Sequence, residues 1–254
     1  MFPYHDENET HRTSFVTYLI IALNLLAWLA IQGAGSTLAL AQSVCQYGLI
    51  PGELTGLVPP GTSIPIGEGL VCVTEPGPQI LNVLTSMFMH GSWLHLIGNM
   101  WFLWVFGNNI EDSMGHLRFV IFYFTAGVAA ALLQVVLGPG SAIPMVGASG
   151  AISGVMGAYL VLYPRVRVWA IVPIGIIPVS IALPAWTMLL YWAAIQFFGG
   201  LSGLMSEHQG GVAFWAHIGG FVAGVALIKV FARPEDVRTH RRSHWEPRRV
   251  ATRW

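Results

Sequence analysis

Between Arg167 and Glu207 the chain runs 39 residues without a charged side chain, and five other stretches are apolar over the length of a membrane span. An α-helix needs about 20 apolar residues to cross the hydrocarbon core. Inside lipid every backbone N–H and C=O has to be paired within the protein, which leaves helices and closed barrels as spanning structures. The 254 residues are 54% hydrophobic and 9% charged, against about 25% charged in an ordinary soluble domain. Runs of this length therefore predict an all-α membrane protein.

Six spans account for the runs. They fall at 15–33, 80–106, 117–137, 146–163, 183–200 and 212–231, with a Pro-rich interfacial stretch at 168–182. Residues 1–14 read as a polar head, 15–231 as one membrane domain and 232–254 as a basic tail without fixed structure. Ala39-Leu40-Ala41 resembles a signal-peptidase site. Asp6, Glu7 and Glu9 outnumber Arg12 before the first run, however, so a retained first helix is expected. Lys and Arg favour cytoplasmic loops. With the N-terminus inside, Arg12, Arg118, Arg165, Arg167 and the tail all fall inside. The outer loops 34–79, 138–145 and 201–211 then contain no Lys or Arg. A six-helix bundle with both termini cytoplasmic follows.

Two glycine-bearing sequences stand at the heads of apolar runs: Gly147-Ala148-Ser149-Gly150 and Ala216-His217-Ile218-Gly219-Gly220. Serine and histidine are the minimum parts of a nucleophile and its base, and ionisable groups at membrane depth mark functional sites. Spans two, four and six all start at the outer face, so His90, His95, Asn99, Ser149 and His217 share one shallow depth. Gly150, Gly154 and Gly157 on one run, and Gly220 and Gly224 on the other, have the spacing that lets helices approach closely. Ser149 opens a helix, so its N–H is a free donor suited to an oxyanion. His95 and Asn99 are four apart, on one helix face, and can complete an oxyanion hole. His90 is off that face and is expected to order the adjoining loop or cap the helix. Glu111 and Asp112 fall at the inner end of span two, so a Ser–His dyad is expected rather than a triad. Taken singly, the Ser, His and Asn also read as interhelical hydrogen-bonding groups; their shared depth favours the joint reading.

His90-Gly91-x-x-x-His95-x-x-x-Asn99, Gly-Ala-Ser-Gly at 147–150 and Ala-His-Ile-Gly-Gly-x-x-x-Gly at 216–224 resemble the three signatures of the rhomboid intramembrane serine proteases. The similarity covers residues 15–231. It implies a rhomboid-like fold, Ser149 as nucleophile, His217 as base and then acid, and an oxyanion hole of His95, Asn99 and the Ser149 N–H. It also implies substrates that are transmembrane helices, admitted near span five and the 201–211 loop. Some bacterial members carry a Trp-Arg pair where this chain has Leu81 and Asn82. An aromatic often stacks on the histidine from the position held here by Ser153, whose hydroxyl becomes the group expected to orient His217.

The expected partners are membrane-protein substrates and the lipid bilayer, with no nucleic acid and no cofactor. No metal is expected, because His90 and His95 lack the i,i+4 spacing of a helical metal site. Cys45 and Cys72 both lie in the first outer loop, where an oxidising compartment permits a disulfide or two free thiols. The six-span form suggests a bacterial plasma membrane. The competing readings are a non-catalytic rhomboid-like protein that binds transmembrane helices, and a transporter or haem-binding channel using the intramembrane histidines.

Overall fold

The computed structural model describes residues 1–67, 69–175, 177–205 and 213–238. Residues 206–211 of the expected outer loop and residues 239–254 of the basic tail lie outside them. In chain order the elements are β1 (Phe2–Asp6), α1 (Phe15–Ala30), α2 (Thr37–Tyr47), α3 (Pro51–Thr55), β2 (Ser63–Gly67), β3 (Leu70–Val73), α4 (Asn82–Thr85), α5 (Trp93–Met114), α6 (His116–Leu137), α7 (Ser149–Leu162), β4 (Arg167–Ile174), β5 (Ile177–Pro184), α8 (Ala185–Met205) and α9 (Phe214–Phe231). Among the described residues, α6 and α9 are long and apolar enough to cross a membrane, and α1 and α7 are apolar but shorter.

The all-α expectation needs correction, because two small antiparallel sheets join the helices. The stretch expected at the interface is the hairpin β4–β5, paired from Arg167 with Pro184 to Ile174 with Ile177. Its Val- and Ile-rich strands suit a pleated surface, and Gly175, at φ +62°, opens the turn. The polar head adds β1 to the outside of β4, in the order β1-β4-β5.

The long connector 34–79 is also built rather than loose. It carries α2, α3 and the β2–β3 hairpin, and a Cys45–Cys72 disulfide ties α2 to β3. Asn82 Nδ2 donates to the carbonyls of Gln46 (3.2 Å) and Gly48 (3.0 Å), and Thr85 Oγ1 to that of Tyr47 (2.9 Å). Asn82, at one of the positions departing from the family pair, thus anchors this region.

The second apolar run does not form one helix over 80–106. It breaks after the 3₁₀ turn Ser86–Phe88, and α5 restarts where the Ser92 hydroxyl accepts the His95 N–H at 3.1 Å, an N-cap. At its far end α5 continues to Met114 because its carboxylates are satisfied there. Glu111 accepts the N–H groups of Val16 (2.8 Å) and Thr17 (2.7 Å) at the start of α1, and Asp112 that of His11 (2.8 Å). These donors have no intrahelical acceptor.

The core is organised around α7, which is buried from Gly150 to Tyr159 and packs against α5, α6, α8 and α9. Its tightest contact is with α9. A methyl group on Gly220 would collide with the Gly150 carbonyl, and one on Gly224 with the Gly154 carbonyl. The glycine rows therefore carry a backbone-to-backbone approach of the two helices.

The bundle has two chemically different ends. Arg12 pairs with Asp236 at 2.7 Å, Arg167 with Glu7 at 2.9 Å, and Arg118 donates to the Phe231 carbonyl at 3.3 Å. Arg165, Lys229, Arg233 and Arg238 lie on segments at this same end. The starts of α5, α7 and α9, with His95, Ser149 and His217, form the other end.

At the charged end, Asp6 is only 7% exposed. Its Oδ2 accepts from Tyr159 Oη at 2.6 Å and from Asn109 Nδ2 at 2.8 Å. Burial lifts its carboxyl to about 7, against the lowering by the Tyr159 hydrogen bond. A raised carboxyl means that the folded state holds the proton more tightly than the unfolded one. Its stabilising effect is then complete below the ordinary value of 3.8 and lost as pH rises through about 7. Thermal unfolding in detergent at pH 5 to 8 checks this. Asp6→Asn, which cannot titrate, is expected to gain on the wild type as pH rises from 5 toward about 7 and to gain little more above it, and parallel curves would rule out a titrating Asp6.

Candidate active site

Ser149 is the first residue of α7 and His217 lies in the first turn of α9. The close approach of the two helices brings Ser149 Oγ to 2.8 Å from His217 Nε2, within hydrogen-bonding range. Both side chains are half-buried. They border a cavity of about 460 Å³ together with His95, Asn99, Ser153 and Trp192.

Gly147, at φ +122°, precedes them. A side chain there would sit 2.7 Å from His95 Nε2 and 3.4 Å from Asn99 Nδ2. Glycine is therefore required both by the backbone and by the two side chains that converge on this strand of chain. Asn99 is buried, and its Nδ2 has no hydrogen-bond partner. A buried amide donor left unpaired costs about 1–3 kcal/mol, so the donor faces a place where an acceptor would be stabilised. His95 Nδ1 accepts the Gly91 N–H at 3.3 Å, which leaves Nε2 as the protonated nitrogen on the cavity side. The Ser149 N–H, at the first helical position, is a third donor.

His90 precedes α5 rather than lying within it. It is buried, and its N–H and carbonyl are both held by the Gln32 side chain at 2.8 Å. Its ring meets that of His95 edge-on, with centroids 5.1 Å apart. Gly150 faces the Ala130 methyl, which a side chain would approach to 2.7 Å.

Ser153 does not orient His217. Its hydroxyl donates to the Ser149 carbonyl at 2.6 Å, one turn back along α7. The groups against His217 come instead from α8. Gln196 Oε1 lies 2.8 Å from His217 Nδ1. The Trp192 ring lies 5.9 Å from the imidazole, inclined at 41°. Sequence reasoning misses both residues. The available signal is that Gln196 is the one side-chain amide in the 39-residue uncharged run.

A serine hydroxyl on a histidine nitrogen, beside converging N–H donors, is the constellation of an acyl-transfer site. The rhomboid domain model matches residues 77–234, well over half of the chain, which belongs to the rhomboid family. It is an integral membrane protein on that ground. Over 169 residues it is 30% identical to rhomboid-like protease 5 of Toxoplasma gondii, covering 64% of this chain and 17% of that protein. Over 161 residues it is 31% identical to rhomboid-like protein 11, chloroplastic, of Arabidopsis thaliana, covering 61% and 54%. Over 166 residues it is 31% identical to presenilin-associated rhomboid-like protein, mitochondrial, of Mus musculus, covering 61% and 40%. The matched stretch thus spans between 17% and 54% of these relatives. The chloroplastic and mitochondrial names of the latter two do not support the expected bacterial plasma membrane.

Proposed function

We propose that the chain is an intramembrane serine endopeptidase, working through a Ser149–His217 dyad on peptide bonds in or near transmembrane helices of membrane-protein substrates. The observation that carries this reading is the 2.8 Å contact of Ser149 Oγ with His217 Nε2. In the proposed reaction His217 takes the hydroxyl proton as Oγ attacks the scissile carbonyl. The oxyanion is met by the Ser149 N–H, His95 Nε2–H and Asn99 Nδ2–H. His217 then gives the proton to the leaving amine, and water attacking the acyl-serine regenerates the site by the same steps in reverse. A domain over 15–231 crosses the membrane six times through α1, α5, α6, α7, α8 and α9, with both termini cytoplasmic. The gathering of described Lys and Arg at the end opposite the site supports that orientation. Substrate helices reach Ser149 from the side of α8.

The non-catalytic alternative keeps the fold without using the dyad, and one assay separates the two. Purified protein in detergent is incubated with a single-span substrate and the cut mapped by mass spectrometry. Cleavage is expected in the wild type and in Ser141→Ala, and not in Ser149→Ala; full cleavage by Ser149→Ala would sink the dyad. Asn99→Ala is expected to keep substrate binding and lower kcat by about 10²- to 10³-fold, the usual loss for one oxyanion donor. An unchanged kcat would take Asn99 out of the oxyanion hole.

A further inference from the structure

We propose that Gln196, on α8, is the positioning residue of the His217 base. The proposal rests on the Ser149–His217 reading above and adds to it a third group from a third helix. Gln196 is 9% exposed, and its Oε1 lies 2.8 Å from His217 Nδ1. An amide oxygen only accepts, so Nδ1 holds the ring proton and Nε2 keeps its lone pair toward Ser149 Oγ. That is the tautomer a base needs. The Trp192 ring, one turn earlier on the same face of α8, packs against the imidazole. Trp192 thus fixes the tilt of the ring, while Gln196 fixes its rotation and its proton.

No other described group does this. The Ser153 hydroxyl is committed to the Ser149 carbonyl, and Glu111 and Asp112 are held at the far end of α5. When Nε2 takes the serine proton, Nδ1–H remains on Gln196 and the amide gains no proton. Because Gln196 comes from α8 while the dyad comes from α7 and α9, the base is aligned only while α8 is seated against α9. Gly199 contributes to that seat, since a side chain there would press to 2.6 Å on the Phe214 ring.

The test uses the full chain in detergent, with a cleavable single-span substrate and a fluorophosphonate probe that reacts at an activated serine. Gln196→Met, similar in length but without the acceptor, is expected to lower kcat by about 10- to 100-fold with KM within twofold. It is expected to slow probe labelling by the same factor. Gln196→Glu, which restores an acceptor oxygen, is expected to recover both to within a few fold. Gln196→Leu stands in should Gln196→Met not be recovered folded. Wild-type kcat and labelling in the apolar variant, or equal impairment of Gln196→Met and Gln196→Glu, would overturn the positioning role. Failure of the wild type itself to label or cleave would instead remove the dyad reading, and this inference with it.

Discussion

His217→Ala is expected to lower kcat by about 10⁴-fold or more, and Ser149→Ala in the same chain to lower it no further. The two groups work as one unit: Ser149 Oγ, 2.8 Å from His217 Nε2, is a weak nucleophile until the histidine accepts its proton. Either deletion removes the whole acyl-enzyme route, so the losses do not add. What survives is the contribution of binding and of the oxyanion donors, which lie on α5 and at the head of α7 and are untouched by either change. Single-turnover cleavage by the two single variants and the double variant checks this. Residual rates that agree within a few fold are the expected result. A double variant slower by the product of the two single losses would show independent contributions, and a His217→Ala enzyme retaining a tenth of the wild-type rate would remove His217 as the base.

How far the sequence foretells this site depends on what each residue shares with its surroundings. Ser149, His217, His95 and Asn99 stand out because polar groups interrupt apolar runs, and the glycines around two of them indicate which helices can touch. Gln196 also interrupts an apolar run, but α8 is apolar on all sides, so no periodic stripe indicates that Gln196 and Trp192 face the histidine. The hairpin at 167–184 is ambiguous for a different reason. A short Val- and Ile-rich run reads equally as strand or buried helix, and only its pairing settles the matter. The polar head offers five residues, Phe2–Asp6, whose partner strand begins at Arg167. Such distant pairing leaves no local trace, and the burial of Asp6 follows from that pairing alone. Span two is misread at its two ends for different reasons. Ser92 caps one end, while Glu111 and Asp112 serve the backbone of a different segment at the other.

Gly220→Ala and Gly224→Ala are expected to lower kcat by more than about 10²-fold and to reduce thermal stability, although each adds a single methyl group. In lipid there is no hydrophobic drive to hold helices together, so packing and weak backbone contacts carry the association. Here α7 and α9 meet backbone to backbone, and the new Cβ would land on the carbonyl of Gly150 or Gly154. A backbone carbonyl inside a helix cannot rotate away as a side chain would, so the helices must separate. Overpacking of this kind costs about 1–3 kcal/mol. The functional effect is larger than the stability effect, because the dyad bridges the same two helices. A shift of about 1 Å opens a 2.8 Å hydrogen bond beyond its useful range and can cost about 10²-fold in rate. Gly98→Ala is the control. It lies within α5, where a side chain meets nothing within 4 Å, and alanine is the better helix former by about 1 kcal/mol. Gly98 borders the same cavity as Ser149, so the variant's melting temperature is the control reading, and that is expected to equal or exceed the wild-type value. Kinetics of the two α9 variants and thermal unfolding of all three together separate the two explanations. Equal tolerance at positions 98, 220 and 224 would mean that close approach of α7 and α9 does not set the Ser149–His217 distance, whereas loss confined to 220 and 224 ties the chemistry to the glycine contact.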